Sequence, residues 1–269
     1  MCIRDSTQPL SSLDLTTELD RARTDKKPLT VVLIGRVGKG KSTLINSLFG
    51  KVVVMEGDSV YPVSRDVHIN TYHMSGINII LIDTPGFTAV DNPKSTEDAM
   101  QDIAEKIPAY DVDLVIYCMK MTDRFDGVDA KIATELTKVY GEKFWTHVLF
   151  ALTFANEVKP SRNCENLDIA THFKRHLAEM IAAIQKNVLQ KSAQVSEVIA
   201  GKVPVVAVGR PQRLRQGSII DELPDGSNWL SNFWCQVLYR IHEPVKASCN
   251  LHPFIKANDH RFLDQTILT

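Results

Sequence analysis

The sequence has no pattern of cysteines that would bind a structural metal or form a disulfide framework. Its 269 residues include five cysteines, which are Cys2, Cys118, Cys164, Cys235 and Cys249. No two of them form a CxxC pair and their spacing is irregular, so a zinc site is not indicated. This usage favours a reducing compartment, and a chain of this length can bury a core without such staples.

Long hydrophobic runs are also absent. The most apolar segments are residues 77–82, 114–119 and 148–154, and each is far shorter than the roughly 20 residues that span a bilayer. Residues 1–27 are polar and their first twelve lack the apolar core of a signal peptide; a non-native origin for this segment is one alternative. We expect a cytoplasmic protein with at most peripheral membrane association.

An excess of charge of one sign is missing as well. The chain carries 31 Lys and Arg against 32 Asp and Glu, which gives a formal net charge of −1. Proteins that follow nucleic-acid phosphates depend on clustered basic residues, so this balance argues against broad nucleic-acid binding. The 44% of hydrophobic residues is typical of a globular protein, and a chain of this length can hold one large or two small domains. Residues 243–269 show no strong period and are expected to form a tail, whose truncation stays an open alternative.

Alternating strand and helix signals begin at Leu29. Short β-branched runs alternate with stretches of helical period, which is typical of a mostly parallel sheet flanked by helices. The predicted strands are residues 29–34, 67–73, 77–82, 114–119, 148–153 and 203–208. The predicted helices are residues 41–49, 94–107, 129–140, 171–199 and 228–241. In the fourth helix, apolar residues recur every three or four positions from Phe173 to Val188, and Asp168 or Thr171 is suited to cap its start.

The clearest chemical motif is a phosphate-binding loop between the first strand and the first helix. Its sequence matches G-x-x-x-x-G-K-[ST], and the glycines let backbone N–H groups converge on phosphate oxygens at the positive end of a helix. We expect Lys41 to reach the β- and γ-phosphates and Ser42 to ligate Mg²⁺. The predicted nucleotide-binding residues here are Gly35, Arg36, Val37, Gly38, Lys39, Gly40, Lys41, Ser42 and Thr43.

A second motif, Asp-Thr-Pro-Gly over residues 83–86, ends an apolar strand. Ligands of open α/β sheets bind at the carboxyl edge, so Asp83 would lie beside the phosphate loop and hold Mg²⁺ through water. Gly86 would bring a backbone N–H near the γ-phosphate and let the following loop switch with nucleotide state. Together the two motifs disfavour kinases of small metabolites.

These motifs resemble the paraseptin branch of GTPases, whose AIG1-type G domains occur in immunity-associated GTPases and chloroplast outer-envelope import receptors. The resemblance rests on the phosphate loop, residues 83–86, Arg124-Phe125-Asp126, and Leu152-Thr153-Phe154-Ala155-Asn156, with looser likeness over residues 203–209 and 222–229. It covers residues 28–242 and implies a Ras-like, three-layer P-loop α/β fold. It also implies GTP or GDP with Mg²⁺, and a homodimer across the nucleotide face in which Arg124 contacts the nucleotide of the other copy. A protein effector is expected, of unknown identity.

The position that reads the base departs from the usual GTPase pattern. Most GTPases have [NT]-K-x-D there, whereas residues 153–156 supply Thr153, Phe154 and the amide of Asn156. An amide accepts from one guanine donor and points its own N–H₂ at the other, which weakens the inference of guanine specificity. Guanine stays favoured from the resemblance, with an ATP- or xanthine-nucleotide-binding protein as the alternative. Phe154 would either cover one face of the base or pack in the core. The backbone groups of Ala207, Val208 and Gly209 would approach the other side of the base.

The set of residues that usually promotes GTP hydrolysis is incomplete in this sequence. Residues 57–70 contain no threonine, so Ser64 is the best candidate to sense Mg²⁺. Phe87 occupies the place of a water-orienting glutamine and cannot form the required hydrogen bond. We therefore predict a slow, Mg²⁺-dependent GTPase that acts as a dimerising switch, with Lys41, Ser64 and Arg124 as catalytic residues and Ser42, Asp83 and Ser64 at the metal. The alternative is a nucleotide-dependent interaction scaffold that does not hydrolyse GTP.

Overall fold

A six-stranded sheet organises the part of the chain that the structure describes. The structure is a computed structural model, and it describes residues 20, 28–49, 52, 54, 67–74, 76–87, 112–160, 168–210, 212–213 and 219–242. The strands are β1 Leu29–Gly35, β2 His68–Met74, β3 Ile77–Asp83, β4 Leu114–Lys120, β5 Val148–Thr153, β6 Val205–Ala207, and a small pair, β7 Gln212–Arg213 and β8 Ile219–Ile220. The α-helices are α1 Lys41–Phe49, α2 Val128–Tyr140, α3 Ile169–Ala182, α4 Glu197–Ala200 and α5 Trp229–His242.

The strand order of the main sheet is β2-β3-β1-β4-β5-β6. All neighbouring pairs are parallel except β2 and β3, which form an antiparallel hairpin at the edge. Every residue of β1 and β5 is buried, which explains why these strands read as continuous apolar runs rather than as alternating ones. The prediction of a mostly parallel α/β fold is confirmed.

The carboxyl ends of the central strands meet at one edge of this sheet. Gly35, Asp83, Lys120 and Thr153 are the last residues of β1, β3, β4 and β5. Since parallel strands all point their carboxyl ends the same way, these four positions come together in space from distant parts of the sequence. This edge carries the candidate site.

The long helix predicted over residues 171–199 is wrong in its single, continuous form. Helix α3 ends at Ala182, a π-helix follows over Ala183–Ser192, and α4 covers only Glu197–Ala200. Between the π-helix and α4, Gln194 adopts a left-handed conformation with φ of 55°. The wider turn of a π-helix still brings Ile184 and Val188 into the core, so apolar spacing alone does not distinguish it from an α-helix. The predicted cap is confirmed, because the Asp168 side chain accepts a hydrogen bond from the Thr171 N–H.

The other predicted boundaries lie close to the observed ones. Strand β6 is shorter than predicted, and the helix predicted over residues 94–107 lies outside the described residues. Helix α5 covers one side of the sheet and buries Trp229 and Phe233 completely. Among the residues that the structure describes, no helix has both the length and the apolar character needed to cross a membrane.

Candidate functional site

The loop between β1 and α1 has the backbone conformation of a cradle. Gly38 and Gly40 adopt positive φ angles of 75° and 81°, which L-residues with a side chain rarely adopt. Gly35 is required for a second reason, because a Cβ atom there would lie 2.5 Å from the carbonyl oxygen of Cys118. At Gly35 the loop therefore approaches β4 at a distance that only glycine permits.

Lys41 lies inside this loop. Its ammonium group donates hydrogen bonds to the carbonyl oxygens of Gly35 at 3.1 Å and Arg36 at 3.2 Å. A Cβ atom on Gly86 would lie 2.8 Å from the same nitrogen, so the backbone that follows β3 is packed directly against it. Burial lowers the pKa of Lys41, with Asp83 among the neighbouring groups that oppose the shift. The loop thus holds a buried amine at its centre.

Ser42 and Asp83 form a polar pair at the start of α1. The Ser42 hydroxyl donates to Asp83 Oδ2 at 3.0 Å. The other carboxylate oxygen, Oδ1, is buried and has no hydrogen-bond partner among the residues that the structure describes. Burial raises the pKa of Asp83, while Lys41 and Ser42 act in the opposite direction. A hydroxyl beside an unpartnered carboxylate oxygen is a donor set that suits Mg²⁺, which prefers oxygen ligands and retains several of its waters.

The chain that follows Asp83 is paired with the phosphate loop. The Phe87 N–H donates to the Gly35 carbonyl at 3.1 Å, and the Val37 N–H donates to the Phe87 carbonyl at 3.1 Å. The Phe87 side chain is only 1% exposed. The Thr84 hydroxyl adds a hydrogen bond to the Leu33 carbonyl at 2.7 Å. Residues 83–87 are therefore fixed against β1 and the loop, and Phe87 points into the core.

We call residues 35–43 and 83–87 the phosphate end of the site, and residues 153–156 and 207–209 the base end. The two ends touch through Thr153, whose hydroxyl donates to the Lys39 carbonyl at 2.8 Å. They also touch through Phe154, since a Cβ atom on Gly40 would lie 2.7 Å from Phe154 Cε2. Phe154 has a left-handed φ of 56°. The Lys120 ammonium lies 4.9 Å from the centre of its ring, so the ring is close enough for a cation–π contact.

The side chain of Asn156 is engaged by the protein itself. Its Nδ2 donates to the Arg210 carbonyl at 3.0 Å, and its Oδ1 accepts from the Arg210 N–H at 3.2 Å. Asn156 thus lies next to Gly209, and both ends of its amide are bound to backbone. Gly209 packs against Trp229, because a Cβ atom there would lie 3.0 Å from Trp229 Cδ1.

Arg124 lies on an exposed loop, residues 121–127, which we call the Arg124 loop. Two carboxylates of this loop bind basic side chains of the phosphate loop: Asp123 forms an ion pair with Lys39, and Asp126 Oδ2 lies 2.6 Å from Arg36 Nη1. Burial opposes ionisation of Asp126, but the hydrogen bond from Arg36 lowers its pKa. Sequence reasoning missed these pairs, although acidic residues at 123, 126 and 129 are a visible signal of a cluster that could bind cations.

The structure brings some of the predicted site residues together, and others lie apart from them or outside the described residues. The phosphate-loop residues, Asp83 and Gly86 are brought together, and Thr153 and Phe154 border them. Ser64 lies outside the described residues. Arg124 is on the same face but forms no hydrogen bond or ion pair among the residues that the structure describes. The roles of all these residues stay predictions.

The phosphate loop between β1 and α1, on a sheet with this strand order and with Asp83 ending β3, defines a P-loop domain of the Ras-like G-domain class. The chain belongs to the AIG1 family, whose model matches residues 29–202.

The chain is similar to several chloroplast translocase proteins. It is 34% identical over 160 residues to the translocase of chloroplast 34 homolog of Chlamydomonas reinhardtii, covering 55% of this chain and 39% of that protein. It is 26% identical over 215 residues to translocase of chloroplast 34 of Pisum sativum, covering 77% of this chain and 64% of the relative. The chain thus spans less than two thirds of the length of these relatives.

Solved structures of Toc33 from Arabidopsis thaliana share the fold. The complex with GDP and Mg²⁺ superposes with a TM-score of 0.67 at 22% identity, covering 88% of this chain and 94% of that chain. A dimerisation-deficient arginine-to-alanine variant gives a TM-score of 0.68 at 20% identity, covering 88% and 95%. These comparisons correct one prediction. A cytoplasmic location is wrong, because the relatives are components of chloroplast translocases and point to the chloroplast.

Proposed function

We propose that this domain binds GTP with Mg²⁺, hydrolyses it slowly to GDP and phosphate, and acts as a nucleotide-dependent dimerising switch. The observation that carries the proposal is the Ser42–Asp83 pair near the ammonium of Lys41, in which one buried carboxylate oxygen has no partner within the described part of the chain. A free protein gains nothing from burying such an oxygen, since an unsatisfied buried acceptor costs stability. Its presence is understandable where a hydrated cation supplies the missing partner.

The residues of the phosphate end have separate tasks in this proposal. The loop N–H groups surround phosphate oxygens, and Lys41 leaves its two backbone carbonyl partners to neutralise charge on the β- and γ-phosphates. Ser42 and Asp83 would hold Mg²⁺, which would neutralise charge that develops on the transferring phosphoryl group. Ser64 is our candidate for the hydroxyl of the first switch, in keeping with the resemblance. No covalent intermediate is required.

Slow turnover is proposed because the place of a water-orienting glutamine is taken by Phe87. This side chain is almost fully buried and its backbone is paired on both sides with the phosphate loop. It therefore has neither the hydrogen-bonding group nor the orientation to align an attacking water. The same observation favours a second candidate, a scaffold that binds GTP and dimerises without turnover.

Guanine is the base that we propose, on family membership rather than on a carboxylate at residue 156. Because the Asn156 amide is bound to Arg210, the main-chain groups of residues 207–209 are the better candidates to contact the base edge. Phe154 and the Lys120 ammonium would flank the base. A preference for XTP or ATP is the rival outcome.

Dimerisation through the nucleotide face is proposed from Arg124 and its surroundings. Arg124 is exposed, and the apolar side chains of Val37 and Phe125 are 43% and 36% exposed on the same face. Apolar groups beside an uncommitted arginine are typical of protein interfaces. An arginine supplied in trans contributes roughly 10³–10⁵ to the rate in other GTPases. A protein effector and, at most, peripheral membrane contact complete the proposal.

The test is titration with a fluorescent GTP analogue and Mg²⁺, competed by GTP, GDP, XTP and ATP, with light scattering on the same samples. We expect guanine nucleotides to compete best and dimers to depend on nucleotide. Arg124→Ala should weaken the dimer, whereas Lys138→Ala, an exposed cation on α2, should not. Multiple-turnover phosphate release above a Lys41→Ala control supports the enzyme, and binding without release supports the scaffold. Preference for XTP, or a folded protein that binds nothing, overturns the proposal.

A further inference from the structure

Besides Lys41, the phosphate loop carries two basic side chains, and both are directed to the Arg124 loop. Arg36 Nη1 lies 2.6 Å from Asp126 Oδ2 and 3.5 Å from Asp129 Oδ2. Lys39 forms an ion pair with Asp123. The side chains of Arg36 and Lys39 are only 19% and 15% exposed. These are therefore not solvated surface charges that happen to lie near one another.

The attachments surround Arg124 in the sequence. Asp123 precedes it directly and Asp126 follows two residues later, so both sides of the exposed tip, Arg124 and Phe125, are fixed to the phosphate loop. The ends of the segment are tied as well. The Met121 N–H donates to the Thr153 carbonyl at 2.9 Å, and the Val128 N–H donates to Asp126 Oδ1 at 3.0 Å. The tip can therefore move only if the phosphate loop moves or if these bonds break.

The carboxylates that receive Arg36 rest on the core. Asp129 is buried at the start of α2, and its Oδ1 accepts a hydrogen bond from the fully buried Tyr117 hydroxyl at 3.0 Å. Tyr117 is in the middle of β4, next to β1 in the sheet. Arg36 thus binds one exposed carboxylate and one that is held rigidly. Isolated surface ion pairs contribute little, but a shared guanidinium with two carboxylates and a buried partner is a network with defined geometry.

The geometry points to Asp126 as a positioning residue: through Arg36 it connects the phosphate loop to the Arg124 loop, so that phosphate binding fixes the orientation in which Arg124 is presented to a second copy of the chain. This inference rests on the proposed function, since it assumes that GTP binds the phosphate loop. Asp126 contacts no phosphate in this scheme and acts only through Arg36 and Arg124.

The test compares Asp126→Asn with Glu135→Gln. Asparagine keeps an oxygen for the Val128 N–H and removes the charge that binds Arg36. Glu135 is the matched control, because it pairs with Lys138 at 2.7 Å on α2 and its side chain is of similar exposure to that of Asp126. We expect Asp126→Asn to raise the dimer dissociation constant about tenfold, with GTP affinity changed by less than about twofold, and Glu135→Gln to change neither.

Combination with Arg124→Ala separates positioning from a merely structural effect. If Asp126 acts through Arg124, Asp126→Asn should weaken the dimer of the wild-type chain and have no further effect in the Arg124→Ala background. An equal additional loss in that background overturns the inference. So does an unchanged dimer in Asp126→Asn when the wild-type chain dimerises with GTP.

Amide hydrogen exchange keeps the inference testable if the proposed function fails. In the wild-type chain, GTP should slow exchange in residues 121–128, and Asp126→Asn should abolish that protection while protection of residues 36–43 stays. If GTP does not bind, the proposed function is wrong, and the nucleotide-free comparison decides the connection. In that case, exchange in residues 121–128 that is faster in Asp126→Asn than in the wild-type chain, and unchanged in Glu135→Gln, supports the connection between the two loops. Equal exchange in all three proteins overturns it.

Discussion

The phosphate end and the base end of this site are built in different ways. At the phosphate end one short segment supplies the loop, the lysine and the hydroxyl. The group that completes it, Asp83, has a buried oxygen to which none of the described residues forms a hydrogen bond. At the base end the side chain expected to bind ligand, Asn156, has both of its polar atoms bonded to Arg210. The phosphate end thus keeps a hydrogen-bond acceptor available for a ligand. At the base end, the polar atoms of Asn156 already form hydrogen bonds that hold two loops together.

This difference indicates where the free energy of nucleotide binding comes from. Buried charges that lack partners gain most from a ligand, because the ligand supplies hydrogen bonds that the folded protein had forgone. A satisfied amide must first exchange its existing bonds, so its net gain is small. We therefore expect the phosphate end to supply most of the affinity and the base end to supply modest discrimination.

The largest expected effect is at Lys41. Lys41→Met keeps much of the side-chain volume and removes the charge that would bind the phosphates. With charge-assisted hydrogen bonds worth about 1.5–3 kcal/mol each, GTP affinity should fall about 100-fold or more, as measured by competition titration. Lys138→Met is the control, because its ammonium is exposed on α2 and pairs with Glu135, away from the phosphate loop. Equal losses in both variants would contradict a special role for Lys41.

Asp83→Asn should have opposite effects on stability and on metal-dependent binding. Burial raises the pKa of Asp83 above its usual value, so the folded chain binds the proton more tightly than the unfolded chain. The ionised carboxylate consequently lowers stability at neutral pH, and the penalty disappears as the pH falls through the folded pKa toward the unfolded value. Asparagine should therefore raise the melting temperature at pH 7, and this gain should shrink as the pH falls toward the pKa of the unfolded chain.

The same substitution should weaken the Mg²⁺ dependence of GTP binding. Removing a group that holds the metal through its water typically costs about 10–100-fold in metal affinity. The measurement is a Mg²⁺ titration at fixed nucleotide concentration, with thermal unfolding of the nucleotide-free protein on the same preparation. A variant that loses stability and keeps its Mg²⁺ response would show that Asp83 is a structural residue.

Gly40 and Gly38 provide a matched pair at the point where the two ends meet. Both have left-handed φ angles, of 81° and 75°, but only Gly40 faces a neighbour, with a new Cβ atom 2.7 Å from Phe154 Cε2 and open space at Gly38. Gly38→Ala should cost about 1 kcal/mol of backbone strain, and Gly40→Ala should cost more. Thermal unfolding measures the difference. Equal melting temperatures would show that Phe154 does not constrain the loop.

The smallest effect is expected from Asn156→Asp, although it restores the carboxylate that most GTPases have. Aspartate can still accept from the Arg210 N–H but cannot donate to its carbonyl, so one hydrogen bond worth about 1 kcal/mol is lost. The preference for GTP over XTP should change by less than about threefold, measured by competition. A gain of tenfold or more would show that residue 156 reads the base and that its bonds to Arg210 give way to the ligand.

Local sequence patterns predicted strands, helices and loops well where a single feature of the local sequence determines the structure. Strand β5 occupies the predicted residues 148–153, because a short run of apolar residues that includes β-branched and aromatic types is typical of a strand buried on both faces. The phosphate loop was predictable because its glycines, lysine and hydroxyl are contiguous. The π-helix after Ala182 was not, since one extra residue per turn changes the hydrogen bonding and leaves the apolar spacing nearly unchanged.

Contacts between side chains far apart in sequence were beyond sequence reasoning. The pair Arg36–Asp126 joins residues 90 positions apart, and its existence depends on β1 and β4 being neighbours in the sheet. The bonds from Asn156 to Arg210 depend in the same way on the adjacency of β5 and β6. Residue types indicate what a side chain can bind, but the sheet order decides what it meets.

The pairing at Phe87 has a consequence for how the molecule could cycle. Two main-chain hydrogen bonds and a buried aromatic ring fasten this residue to the phosphate loop, and losing such a ring from a core typically costs about 3–5 kcal/mol. These contacts hold the main chain of Gly35 and Val37 in place through groups that the proposed nucleotide site does not use. If the domain cycles as we propose, this part of the loop backbone should therefore keep its conformation from one nucleotide to the next.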